Sequence, residues 1–64
     1  MQSYRFNYLD GAGNVRRVEV VGRRDNSDAV RWGNDMLVVN PLHAAVEIWD
    51  GDHLIITLKR KTDP

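Results

Sequence analysis

The first residues of the chain alternate aromatic and polar side chains, in the order Tyr-Arg-Phe-Asn-Tyr from Tyr4 onwards. This period of two is typical of a β-strand with one buried face. Residues 10–14 are aspartate, glycine, alanine, glycine and asparagine, which tight turns favour. Alternating valines follow this turn. The pattern therefore predicts a β-hairpin with strands at about 3–9 and 15–22.

The hydrophobic and charged positions of this hairpin agree on one register. If Leu9 pairs with Val15 across the loop, Phe6 lies opposite Val18 on the aromatic face. The same register opposes Tyr4 with Val20 and, on the reverse face, Arg5 with Glu19. Apolar pairs and oppositely charged pairs both stabilise neighbouring strands. We therefore expect both of these valines to be buried.

The middle of the chain predicts a helix at about 28–39. Ser27 is a suitable N-cap, Asp28 suits the first turn, and Pro41 stops the helix because the residue before a proline avoids helical angles. Most apolar residues share one half of a helical wheel, namely Ala29, Val30, Trp32, Gly33, Met36, Leu37 and Val39. The alternative is a turn at 33–35 between two short strands, because β-favouring valines follow it.

The last part of the chain predicts a second hairpin, with strands at about 44–49 and 53–60. Its turn contains Asp50, Gly51 and Asp52, and the glycine supplies the positive φ that such a turn requires. A loop with an odd number of residues would place five aliphatic residues on one face, namely Val46, Ile48, Leu54, Ile56 and Leu58.

The predicted order is therefore strand, strand, helix, strand, strand within a single domain, residues 1–64. The fold class is α+β, with a ββαββ order and a four-stranded antiparallel sheet that carries the helix on one face. The expected core contains Tyr4, Phe6, Val18, Val20, Ala29, Met36, Leu37, Val46, Ile48, Leu54 and Ile56.

Three stretches carry a resemblance to known sequences: YRFNYLDG from Tyr4, SDAV from Ser27 and AVEIWDGDHLI from Ala45. In this order they resemble a family of short, uncharacterised alphaproteobacterial proteins. That family has a Tyr-x-Phe strand before Asp-Gly or Asp-Ala, an alanine- and leucine-rich helix, and a Val-Glu-Val-Trp stretch followed by Arg-Leu-Val. The resemblance implies the same fold and favours the helix in the middle, although Trp32 and Gly33 depart from the family pattern. It implies no function.

Length and composition limit the classes of function. A chain of 64 residues buries only about 60% of its unfolded surface. Cysteine is absent, so the chain has no disulfides or thiolate metal sites, which fits a reducing, cytoplasmic location. Nine basic and nine acidic residues give no net charge, whereas nucleic-acid-binding domains are usually basic. The sequence shows no apolar run that would predict a membrane span or a signal peptide. Self-association is then the most plausible additional source of stability.

No enzyme, metal or cofactor site is predicted. Asp50, Asp52 and His53 offer metal ligands at close spacing, but a turn directs such side chains outward and no second cluster completes the coordination shell. The glycine-rich loop 10–14 lacks the helix of a phosphate loop and the closing glutamate of a calcium loop. Ser27 is explained as a cap, and Glu47, expected across from His53, is explained as an exposed ion-pair partner.

The face of the sheet opposite the helix is the candidate binding surface. Trp49 is expected there, among aliphatic residues and charges of both signs, which is the composition of an interface. The interface residues that we predict are Arg17, Val21, Glu47, Trp49, His53 and Ile55. We expect a homo-oligomer or a protein partner. The alternative is nucleic-acid binding, with Trp49 stacking on a base and phosphate contacts from Arg16, Arg17, Lys59 and Lys61.

Overall fold

A computed structural model describes residues 1–60, which form one antiparallel sheet of four strands and a single helix against it. The elements are β1 (Gln2–Leu9), β2 (Val15–Arg23), α1 (Asn26–Val39), β3 (Ala45–Asp50) and β4 (His53–Lys59). The strand order across the sheet is β2-β1-β3-β4, so β1 and β3 are central and the other two strands form the edges. The predicted fold class is confirmed, and the alternative of a turn at 33–35 is wrong.

The core lies between the helix and the two central strands. Alternate residues of β1 and β3 form one side of the core and residues of α1 form the other. The buried residues are Tyr4, Phe6, Tyr8, Ala29, Leu37, Val46 and Ile48. The helix approaches the sheet closely at Gly33, where an added Cβ would lie 3.0 Å from Ile48 Cδ1 and 3.1 Å from Leu58 Cδ1. A glycine here lets the helix backbone pack directly against the aliphatic side chains of β3 and β4.

A β-bulge changes the register of the first hairpin. Leu9 pairs with Val15 as predicted, but the register shifts between Tyr8 and Leu9, so Phe6 lies opposite Glu19. The two valines expected in the core, Val18 and Val20, are therefore 55% and 68% exposed on the reverse face. Val21, which we predicted on the reverse face, instead packs against the core. The prediction failed because alternation along a strand does not reveal an extra residue in its partner.

A second bulge changes β4 in the same way. Asp50 pairs with His53, so the loop has an even length of two residues. The extra residue is Ile55, which lies in β4 between the pairs Ile48–Ile56 and Trp49–Leu54. Gly51 has a φ of +60°, as predicted. Leu54 and Ile56, both predicted in the core, are 42% and 38% exposed. Ile55, predicted on the reverse face, is partly buried against the core.

The N-terminus of the helix is capped by Asp25 and not by Ser27. Asp25 has extended backbone angles, and its carboxylate accepts a 2.9 Å hydrogen bond from the backbone N–H of Asp28. Asp28 in turn accepts a hydrogen bond from the N–H of Arg24, and this bond, followed by the charges of neighbouring arginines, lowers the pKa of Asp28. The helix therefore begins before the predicted residue 28.

Arg60 closes the other end of the helix. Its guanidinium donates hydrogen bonds to three backbone carbonyls, those of Leu37, Asn40 and His43, with the last two at 2.6 Å and 2.9 Å. The last turn of α1 contains no basic residue, so Arg60 supplies the positive charge that a helix C-terminus favours. Val39, predicted on the buried half of the helix, lies in this last turn and is 70% exposed.

Candidate interaction surface

Trp49 and Arg5 lie at the centre of the sheet face opposite the helix, which we call the outer face. The two residues are directly opposed on the neighbouring central strands. The Arg5 guanidinium carbon lies 5.2 Å from the centroid of the Trp49 ring, within the range of a cation–π contact. The Trp49 indole N–H donates a 3.3 Å hydrogen bond to Glu47 Oε1. The indole is thus held by a cation and an anion at once.

Glu47 also joins the centre of the outer face to β1. Asn7 Nδ2 donates to Glu47 Oε1 across 3.5 Å. The other amide atom, Asn7 Oδ1, is buried and has no hydrogen-bond partner within residues 1–60. A buried acceptor without a donor costs about 1–3 kcal/mol. The polar centre of this face is therefore incompletely satisfied in the isolated chain.

Exposed aliphatic residues flank this polar centre on both edge strands. Val18 and Val20 lie on the β2 side, and Leu54 lies on the β4 side, directly opposite Trp49. Val15, at the start of β2, is 50% exposed. No helix or strand of the described residues covers this face. Aliphatic side chains on both sides of an aromatic residue and a pair of charges are a composition found in many protein interfaces.

Only part of the predicted interface lies on the outer face. Glu47 and Trp49 do, whereas Val21 and Ile55 pack on the helix side and Arg17 pairs opposite the buried Tyr8. His53 pairs with Asp50 at the start of β4, and Glu47 lies opposite Thr57 and not opposite His53.

The sequence missed three residues of this face, namely Val18, Val20 and Leu54. It placed Arg5 on this face, but opposite Glu19, whereas the neighbours of Arg5 are Val20 and Trp49. The two bulges exchange neighbouring residues between faces. The sequence hinted at the second bulge only, through the odd loop that would have placed the aliphatic residues of the second hairpin on one face.

A second polar cluster lies on the helix side, at the β2 edge. Glu19 Oε1 accepts hydrogen bonds from the Tyr8 hydroxyl at 2.9 Å and from the Trp32 indole N–H at 3.3 Å. Burial, and then the neighbouring Glu19, raises the pKa of Tyr8 well above its ordinary value. Arg17 lies 3.7 Å from the same carboxylate, and the Arg23 guanidinium carbon lies 4.7 Å from the centroid of the Trp32 ring. This cluster joins β1, β2 and α1 and is satisfied internally.

The basic residues named for nucleic-acid binding do not form one free patch. Arg17 is paired with Glu19, and Arg60, beside Lys59, is held by the end of the helix. Arg16 and Lys59 are exposed but belong to the two opposite edge strands. Lys61 lies outside the described residues. The outer face itself presents Arg5 together with the carboxylate of Glu47.

The histidines have different surroundings. His43 is only 8% exposed, stacks on Tyr8 with 4.8 Å between ring centroids, and lies 3.1 Å from the Asn40 amide nitrogen. His53 is exposed. Within residues 1–60 no group of three potential metal-ligating side chains lies together. No helix in that part of the chain is long and apolar enough to cross a membrane.

Comparisons with known proteins add no relative. No family model matches the chain, and neither the curated proteins nor the solved structures contain a significant match. The resemblance to the alphaproteobacterial family stays a prediction.

Proposed function

We propose that this protein is a non-enzymatic module that self-associates through the outer face of its sheet. The observation that supports the proposal is the partly buried Trp49 at the centre of the outer face, with exposed Val18, Val20 and Leu54 on the two edge strands of the same face. Tryptophan is enriched among residues that dominate binding energy, especially where surrounding aliphatic contacts exclude water. A second copy of the chain is the proposed occupant.

The charges on this face suit a symmetric contact. Arg5 and Glu47 carry opposite signs and both contact Trp49, on either side of the boundary between β1 and β3. In a two-fold dimer the same patch meets itself, so each copy offers an anion to the other's cation. The chain's lack of net charge removes a general repulsion between copies.

Nucleic-acid binding through the same face has weaker support. A base would have to stack on the Trp49 ring, which Arg5 already contacts, and Glu47 lies 3.3 Å from the indole nitrogen. A carboxylate beside the stacking residue repels phosphate. The experiment below therefore includes a result that would favour nucleic-acid binding over self-association.

The test is the solution mass by light scattering, for the wild type and Trp49→Glu, at low and high salt. We expect a wild-type oligomer that persists at high salt, because apolar association does not weaken as salt rises. Trp49→Glu should halve the mass, because it places a charge at the centre of the contact.

Val39→Glu is the control, since it adds the same charge at an exposed position of the helix. Circular dichroism should show that both variants are folded. If the wild type is a monomer, or if Trp49→Glu leaves the mass unchanged, self-association through this face is wrong. Salt-sensitive binding of single-stranded oligonucleotides by a monomer would favour the alternative.

A further inference from the structure

The two edge strands of the sheet differ in how well they are protected. The exposed edge of β2 carries several charged residues, namely Arg16, Arg17, Glu19 and Arg23. By contrast, β4 has no charged residue between Leu54 and Leu58. Charged residues on an edge strand prevent pairing with another chain, and an edge without them is a template for it. The unpaired side of β4 is therefore the open end of this sheet.

The charges at the two ends of β4 are complementary. Asp52 precedes the strand in the tight turn, and Lys59 is its last residue. Both side chains are exposed, and within residues 1–60 neither forms a salt bridge. Two copies of β4 that pair antiparallel bring Asp52 of each copy beside Lys59 of the other. A strand with an acid at one end and a base at the other is thus complementary to itself.

The seam between β4 and the helix is also open. An open groove of about 430 Å³ lies there, lined by Asn34, Leu37, Val38, Lys59 and Arg60. Val38 in the groove lining is 77% exposed, and Ile56 of β4 is 38% exposed. Arg60 is held in place by its hydrogen bonds to the end of the helix, so this wall of the groove is fixed. A neighbouring strand along β4 would cover both aliphatic residues.

We infer that β4 pairs antiparallel with β4 of a second copy, with Ile56 near the two-fold axis and a continuous sheet across both chains. This inference rests on the proposed self-association and adds a second contact to it, because strand pairing uses the free backbone edge of β4 and its end charges, whereas the outer-face contact uses the side chain of Trp49. The two-fold axis of the β4–β4 contact is perpendicular to the plane of the sheet. The two-fold axis of the outer-face contact is parallel to that plane. The two contacts together build a closed tetramer.

A charge exchange at the ends of β4 tests the pairing. Asp52→Lys and Lys59→Glu are made separately and combined in one chain, all in the Trp49→Glu background that removes the outer-face contact. Each single variant should be a monomer at low salt, because its copies bring like charges together. The combined variant should regain the mass of a dimer.

Mixing the two single variants is the decisive measurement, since the Asp52→Lys chain complements the Lys59→Glu chain at both ends of the strand. We expect this mixture to form a heterodimer, seen as a doubled mass. Arg16→Glu is the control, because it reverses an exposed charge on β2, the opposite edge strand, and should leave the dimer intact.

The outcomes separate the two contacts. A tetrameric wild type, a dimer for Trp49→Glu and a dimer for Lys59→Glu in the wild-type background support both. A monomeric Trp49→Glu chain overturns the edge contact alone. A Trp49→Glu chain with the wild-type mass overturns the outer-face contact alone. Loss of mass in the single charge variants without recovery in their mixture also overturns the edge pairing.

Discussion

The Tyr8 hydroxyl donates a 2.9 Å hydrogen bond to the Glu19 carboxylate on the helix side of the sheet. In the register that hydrophobic alternation predicts, Glu19 would lie on the outer face, away from Tyr8. The bulge between Tyr8 and Leu9 moves the glutamate to the helix side. There it accepts hydrogen bonds from both Tyr8 and Trp32, two aromatic side chains that need an acceptor when they are buried.

Removal of the Glu19 carboxylate should destabilise the fold. Glu19→Ala leaves the Tyr8 hydroxyl and the Trp32 N–H without their acceptor, which should lower the free energy of unfolding by about 1–3 kcal/mol. Glu19→Gln keeps an acceptor oxygen and should lose less. Urea unfolding monitored by tryptophan fluorescence measures both. Equal losses for the two variants would show that the hydrogen bonds do not stabilise the fold.

Stability should fall at alkaline pH because of Tyr8. Burial, with help from Glu19, raises the pKa of Tyr8, so the folded state favours the neutral phenol. This contribution is fully present below the unfolded pKa of about 10 and is lost as pH rises towards the folded pKa. Unfolding free energies measured between about pH 8 and pH 11 should therefore decline above pH 10. Tyr8→Phe should decline less steeply; an identical slope would rule Tyr8 out as the cause.

Two neighbouring valines of β2 should differ strongly in how far substitution by aspartate lowers the thermal stability. Val20→Asp places a charge on a side chain that is 68% exposed and should leave a folded chain. Val21→Asp places it against the core, where an unpaired charge is costly, and should lower the thermal midpoint strongly or prevent folding. Thermal unfolding followed by circular dichroism compares them. A reversed order would mean that β2 lacks the bulge and has the register predicted from alternation.

Arg60 should contribute more to stability than its exposed neighbour Lys59. Arg60→Ala leaves the carbonyls of Leu37, Asn40 and His43 without their shared donor. We expect a loss of about 2–3 kcal/mol in the free energy of unfolding, since hydrogen bonds from charged groups contribute about 1.5–3 kcal/mol. Lys59→Ala is the control and should change it by less than about 0.5 kcal/mol. Chemical unfolding of the two variants at a protein concentration low enough to dissociate the oligomer separates the two effects.

The sequence by itself determined the fold class and the five elements. The aromatic alternation that begins at Tyr4, the positive φ required at Gly51 and the single amphipathic stretch before Pro41 each act over a few neighbouring residues. Local patterns of this kind are visible along the chain. The central residues of both inner strands were predicted for the same reason, because a strand that is paired on both sides keeps its alternation.

Only the tertiary structure decided which residues of the edge strands face the helix. A bulge adds one residue where strand pairing, turn length and packing are satisfied together, and it exchanges Val20 with Val21 and Leu54 with Ile55 between faces. The role of Arg60 was hidden for a similar reason, since the carbonyls that it binds belong to the end of the helix and the loop after it, about twenty residues earlier in the chain. Contacts between distant segments depend on the whole packing, and no local pattern records them.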